Sequence, residues 1–564
     1  MPSIVGKRRG QQTYYYLVES ARVEGKPRIV SQQYLGTAEE VMARLEGSGV
    51  GEPDRTQHKR FGDVAAVWGF CQRLGVADIV DEVVGERRRD ASASVGAYLT
   101  LATVNRIVDP CSKRAFADWW ETTAGPRFVR PRLPAGATDH RRFWDAMDTL
   151  SEQQLEEIER RLSLRAIELF DLDLSGLVLD MTNFATFIDS ANDRAPIAQR
   201  GKAKQKRDDL RLVGLALVVT HDGAVPVVSH PYAGNRHDST QFTGLLDQLV
   251  GRWEALGGDP GELTVTYDSG QNSASNHAHI EGLGLGYVTS LPPCDHPELL
   301  AIGHDRFEAL DADRFEGVSA HDTAVTALGV TRRAVITHSA SFHQRQSRGF
   351  DQTLAKARRQ LAELQARLAR GRTRKTTAAI QTEIDRILAP RWLDRIIKVR
   401  LTGDTPATRR LTWRTDARAR ARLEDEIFGK RILFTDRQDW PVADVVAAYR
   451  TQPDVEGSFR QMKDPHVVSF SPMHHWTEQK IKVHAFYCVL ALQIAHLMRR
   501  HAHQASLDLS VRGLLAELAD IQETVLLYQA DRGRPRARRM LTDITPTGQR
   551  LYDLFDLDRY APRR

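Results

Sequence analysis

Cysteine is scarce in this chain, with four in 564 residues, and no two of Cys71, Cys111, Cys294 and Cys488 stand at CxxC spacing. That scarcity argues against a disulfide framework and a zinc ribbon and fits a reducing cytoplasm. An apolar leader is missing as well, since the chain opens on MPSIVGKRRGQQ. The best apolar run, about residues 485 to 497, is broken by Gln493 and His496 and is too short to span a bilayer, so it reads as a buried helix and no membrane partner is expected. Inspection finds no tandem repeat. Neither charge sign dominates: 79 Lys and Arg against 73 Asp and Glu leave a net charge of +6, a mild excess.

What the chain does have is an ordinary globular composition, 41% hydrophobic and 27% charged, in a length too great for one ordinary core. Three or four domains, or one domain carrying large insertions, are expected. The basic residues cluster. Arg127, Arg130, Arg132, Arg141 and Arg142 form one group, and Lys202, Lys204, Lys206, Arg207 and Arg211 a second. Arg370, Arg372, Arg374 and Lys375 form a third, and Arg532, Arg534, Arg536, Arg538 and Arg539 a fourth. Each alone reads as a solvated loop, whereas several on one chain fit a surface that neutralises phosphates.

Residues 1–58 read as a small β unit and 59–172 as a helical region and candidate DNA-binding domain, with Ser151 placed to cap its last helix. From 173 to 294 the period changes. LSGLVLDM, LRLVGLALVVT, AVPVVSH, LTVTYD and LGYVTSL read as strands, with helices about 238 to 255 and over NSASNHAHIEGL. Strand, strand, strand, helix, strand, helix, strand is the element order of a ribonuclease H-like α/β sheet. Residues 295–436 read as a β-rich insertion. It carries a helical hairpin with apolar seams at Leu361, Leu364 and Leu368 and at Ile380, Ile384 and Ile387. Residues 437–505 return to the core, and 506–564 read as a helical region with a basic tail.

Three acids stand out by position. Asp180 is expected to end the first strand of the sheet, Asp268 the fourth, and Glu456 lies on the helix after the insertion. In open α/β sheets ligands gather at the carboxyl ends of strands, so two aspartates there can meet in one cleft. Taken singly, Asp180 and Asp268 are ordinary turn residues and Glu456 belongs to a charged helix face with Arg460 and Lys463. Taken together, the three make an oxygen site suited to Mg²⁺.

On these residues the sequence resembles the DDE transposases of bacterial insertion elements, in the branch with a Tyr-Arg-Glu-Lys signature. LVLDMTNF, with Thr182, is similar to the family's first-aspartate strand, and VTYDSGQNSASN, with Gly270 and Asn276, to its second. DGAVPVVSHPYAGNRHD, with Gly234, Asn235 and Asp238, is similar to the connecting hairpin, while Tyr449, Glu456 and Lys463 match the signature in spacing. The resemblance implies a ribonuclease H-like core in which Asp180, Asp268 and Glu456 are catalytic and hold two Mg²⁺ ions, with Mn²⁺ able to substitute. It also implies DNA contacts from Tyr449, Arg460 and Lys463, to which the basic run adds Lys204 and Arg207. The partners implied are double-stranded DNA, as element ends and target, and a second copy of the chain on that DNA, in the nucleoid of a bacterial cytoplasm. The signature's arginine position holds Gln452, so no phosphate contact is assigned there.

Overall fold

The computed structural model describes every residue except 1, 11, 24–25, 47–52, 86–89, 203–208, 237–239, 256–257, 529–535 and 564. Strands β1 (Pro2–Arg9), β2 (Gln12–Val23) and β3 (Lys26–Thr37) form an antiparallel sheet in that order. A polar strand, β4 (Arg55–Arg60), leads into helices at Gly62–Leu74, Val95–Val108 and Glu152–Phe170, among others. Ser151 and Gln154 close a reciprocal capping box at the last of these, which fixes where that helix starts.

Five strands follow: β5 (Gly176–Thr186), β6 (Arg211–Thr220), β7 (Pro226–Ala233), β8 (Thr264–Tyr267) and β9 (Gly286–Leu291). They lie in the order β9-β8-β5-β6-β7. β5 runs parallel to β8 and β8 parallel to β9, whereas β6 and β7 return antiparallel. Both faces of β6, β8 and β9 are covered, and in β6 this gives a nearly unbroken apolar run in place of an alternating one.

Beyond β9 the sheet continues. After β10 (Glu308–Ala309), β11 (Val318–Ala327) and β12 (Val330–Ser339), the chain departs through helices Ala340–Ala369 and Thr377–Leu388. The hairpin β13 (Ile397–Thr402) and β14 (Arg410–Thr415) follows, and the chain returns at β15 (Lys430–Thr435). β15 lies between β9 and β12, so the complete sheet has nine strands in the order β10-β11-β12-β15-β9-β8-β5-β6-β7. The excursion between β12 and β15 has its own core, in which Leu361, Leu364 and Leu368 pack with Ile380, Ile384 and Ile387. It leaves and re-enters at one point, since Ser339 N donates to Gly429 O at 3.0 Å.

The helix Glu478–Gln504 is long and apolar enough to cross a membrane, yet 94% of its most apolar stretch is buried inside the protein. Its polar interruptions are satisfied there, because Gln493 donates to Pro226 O at 2.7 Å and His496 Nδ1 lies 2.6 Å from Ala224 O. Burial holds His496 at a pKa of about 3, so it stays neutral. One continuous core joins this helix, the N-terminal helices and the sheet. Residues 506–564, expected to be helical, also carry two strands, β16 (Gln522–Tyr528) and β17 (Arg536–Leu541), in a small sheet ordered β17-β16-β4. β16 pairs with a strand from the other end of the sequence, a partner that no local pattern reveals.

Candidate active site

The parallel register of β5 and β8 ends with Leu179 opposite Tyr267. The next residues are Asp180 and Asp268, which therefore stand side by side across two adjacent strands, a spacing of about 4.8 Å between backbones. Asp180 does not end its strand as the sequence led us to expect. β5 runs on to Thr186 because MTNFAT continues its pairing with β6, from Asp180 opposite Leu217 to Thr186 opposite Arg211. What stops at Asp180 is the parallel neighbour, and that exposes a carboxyl edge in mid-strand.

Asp268 leads directly into a 3-10 turn, Ser269–Gln271, and its carbonyl accepts from Gln271 N at 3.0 Å. The turn is braced from behind. Asn276 Nδ2 donates to Gln271 O at 2.8 Å, and Asn272 Nδ2 donates to Ser290 O at 2.9 Å. A similar steric logic holds Gly234 on the adjoining hairpin, where a Cβ would lie 2.0 Å from Leu212 O.

Glu456 sits on the helix Gln452–Met462, separated at Thr451 from the helix Val442–Arg450 that carries Tyr449. Pro453 falls in the first turn, where its missing N–H costs nothing. Val455, Phe459 and Met462 are buried, leaving Glu456 and Arg460 exposed. At the end of the helix Lys463 Nζ donates to Thr182 Oγ1 at 2.8 Å and lies 5.5 Å from the centre of the Phe184 ring. Thr182 and Phe184 share a sheet face with Asp180 by the period of two. Seven residues of helix put Glu456 about 10 Å before Lys463. Two residues of strand put Asp180 about 7 Å before Thr182, so the helix carries Glu456 towards the edge formed by the two aspartates.

Asp268 and Glu456 line one cleft of about 680 Å³ together with Tyr449, Gln452, Arg345, Arg431 and Arg450. Tyr449 is 6% exposed, and its hydroxyl donates to Ser290 Oγ at 2.9 Å. Burial raises its pKa most, and the charges of Asp268 and Glu456 raise it further. Among the described residues neither acid has a cationic side-chain partner. Carboxylate oxygens left without counter-cations suit a hard divalent ion. Among the described residues no three His, Cys, Asp or Glu side chains are gathered tightly enough to hold an ion as they stand. Asp180 and Asp268 share a strand edge, and Asp268 and Glu456 a cleft, without closing into a cage.

Of the other expected contacts, Arg460 is exposed one turn beyond Glu456, Lys463 is engaged with Thr182, and Tyr449 is mostly enclosed. Lys204 and Arg207 lie outside the described residues, as does Asp238. Part of the basic surplus is structural, since Arg127 and Arg539 both pair with the fully buried Glu523. Trp119 and Trp120 are buried among Phe116 and its neighbours. Arg345, Arg431 and Arg450 come from three separate elements and form no run, so sequence reasoning did not group them.

No protein-family model and no curated protein matches the chain. Among solved structures the chain is similar to a piggyBac transposase in a synaptic complex with hairpin DNA. The two share 8% identity over 83% of this chain and 82% of that one, with a TM-score of 0.36.

Proposed function

We propose that this chain is a metal-dependent DNA strand transferase of the DDE transposase class, built on a ribonuclease H-like core. The observation that carries the reading is the adjacency of Asp180 and Asp268 across the parallel pair β5 and β8, with Glu456 sharing a cleft with Asp268. The strand order β9-β8-β5-β6-β7, with two antiparallel returns and two parallel crossovers, supports the choice of fold. Asp180, Asp268 and Glu456 would hold the metal. Two Mg²⁺ ions, or Mn²⁺ in their place, would there supply activation of a water or 3'-hydroxyl and stabilisation of the leaving oxygen.

The chain's own residues do the positioning. Tyr449, bonded to Ser290, fixes the preceding helix against β9, and Lys463, bonded to Thr182, pins the glutamate helix along β5. Arg460 offers a solvent-facing cation to the DNA backbone beside the acids. The substrates in this reading are element ends and target DNA, brought together by two copies of the chain in a bacterial nucleoid.

The test is an assay on DNA carrying the repeats that flank the gene. Cleavage and end-joining that require Mg²⁺ or Mn²⁺, and that vanish in Asp180→Asn, Asp268→Asn and Glu456→Gln, are expected. Cleavage without joining would mark a structure-selective nuclease. Salt-sensitive DNA binding with no cleavage would mark a catalytically silent binding protein.

A further inference from the structure

The cleft wall facing the acids is cationic. Arg345 stands on the helix that follows β12, Arg431 at the start of β15, and Arg450 at the end of the helix carrying Tyr449. All three are exposed, and among the described residues none has a carboxylate partner. Aromatic faces back them instead. The Arg431 guanidinium lies 5.2 Å from the centre of the Phe342 ring and 5.1 Å from that of Tyr449. Arg345 lies 5.8 Å from the Phe342 ring, and Arg450 lies 5.0 Å from that of Phe315.

Rings hold a guanidinium in place and leave its charge to act outward. Arg450 already registers the crowding: its pKa is lowered, first by burial and then by the positive charge of Arg431. Like charges gathered on one wall of a cleft, none of them in an ion pair among the described residues, favour an anion between them. A second, independent feature calls for a ligand that also carries a hydrogen-bond donor. Gln452 is 7% exposed and lines the cleft, and its buried Oε1 has no hydrogen-bond partner among the described residues. Such an acceptor is costly to leave unpaired unless a ligand supplies the donor.

We infer that Arg345, Arg431 and Arg450 form a phosphodiester-binding wall for a DNA strand lying beside the acids, with Gln452 Oε1 accepting from a base N–H of the nucleotide held there. This rests on the reading of the cleft as a DNA-processing site and deepens it. Arg431 lies over the ring of Tyr449, on the helix that ends just before Gln452.

The probe is a 5'-fluorescein decamer of thymidylate, followed by anisotropy in EDTA over a range of salt, so that no cleavage contributes. Removing each arginine as Arg345→Gln, Arg431→Gln or Arg450→Gln is expected to reduce the slope of log K against log salt by about 0.7, and the triple variant by about 2. Arg431→Lys should keep most of the slope, and Arg386→Gln, on a helix outside the cleft, all of it. Melting curves confirm that each variant is folded. Folded variants with the wild-type slope, or a wild-type chain that does not bind the decamer, would overturn the inference. Asp268→Asn separates the two proposals: the wall predicts that this variant still binds the decamer, whatever becomes of cleavage.

Discussion

Asp268 and Glu456 share their cleft with three arginines and pair with none of them. Held apart from counter-cations, a carboxylate is free to take a metal, and this is the property on which the proposed chemistry turns. Replacing Asp180, Asp268 or Glu456 by its amide is therefore expected to cost more than the roughly 10–100-fold that loss of an outer partner of a metal site costs. Single-turnover cleavage rates check this, and retained activity in one variant removes that residue from the mechanism. A different residue gives the fold a response to alkaline pH. Lys113 is buried over the Phe143 and Tyr487 rings with no hydrogen-bond partner among the described residues, and burial lowers its pKa from 10.5 to about 7. Between those values the unfolded chain holds a proton that the folded chain has shed, so this group's contribution to stability rises with pH from about 7 to 10.5. Lys113→Met should abolish that rise and stabilise the protein at pH 6.5 by on the order of a few kcal/mol. Urea midpoints at pH 6.5 and 9.5 decide it, and an unchanged difference between the two would refute the assignment.

Among the elements, the excursion between β12 and β15 behaves as a guest of the sheet. Its helices close on their own leucines and isoleucines, and Ser339 and Gly429 meet where it departs. Replacing residues 340–428 by Asn-Gly, a favoured two-residue hairpin, is expected to leave a single cooperative unfolding transition and a near-unchanged strand signal by circular dichroism. A molten or insoluble product would show that the sheet leans on the guest. The same elements show what was legible in the sequence. Apolar seams at helical spacing and continuous strand runs such as RLVGLALVVT carry their structure locally, and the acids at their ends follow from them. β4, RTQHKR, carries no apolar alternation and exists through its pairing with β16, more than 460 residues away in sequence. The continuation of β5 past Asp180 was hidden for a related reason, since the pairing that sustains it comes from β6.

At the scale of the whole molecule, Asp180 and Asp268 stand side by side because two parallel crossovers align β5, β8 and β9, and Glu456 shares a cleft with Asp268 from a helix that lies along β5. The basic wall comes from the excursion, from β15 and from the helix before Gln452, so the cleft is complete only when the long detour has returned to the sheet. Arginines so dispersed leave no cluster in the sequence, whereas motifs around single acids do. The convergence of the acids can be read directly by substituting Fe²⁺ for Mg²⁺ and letting locally generated hydroxyl radicals cut the polypeptide. Cuts near residues 180, 268 and 456 together, all lost in Asp268→Asn, are the predicted result. Cuts confined to one of these segments, or unchanged by that substitution, would contradict the account.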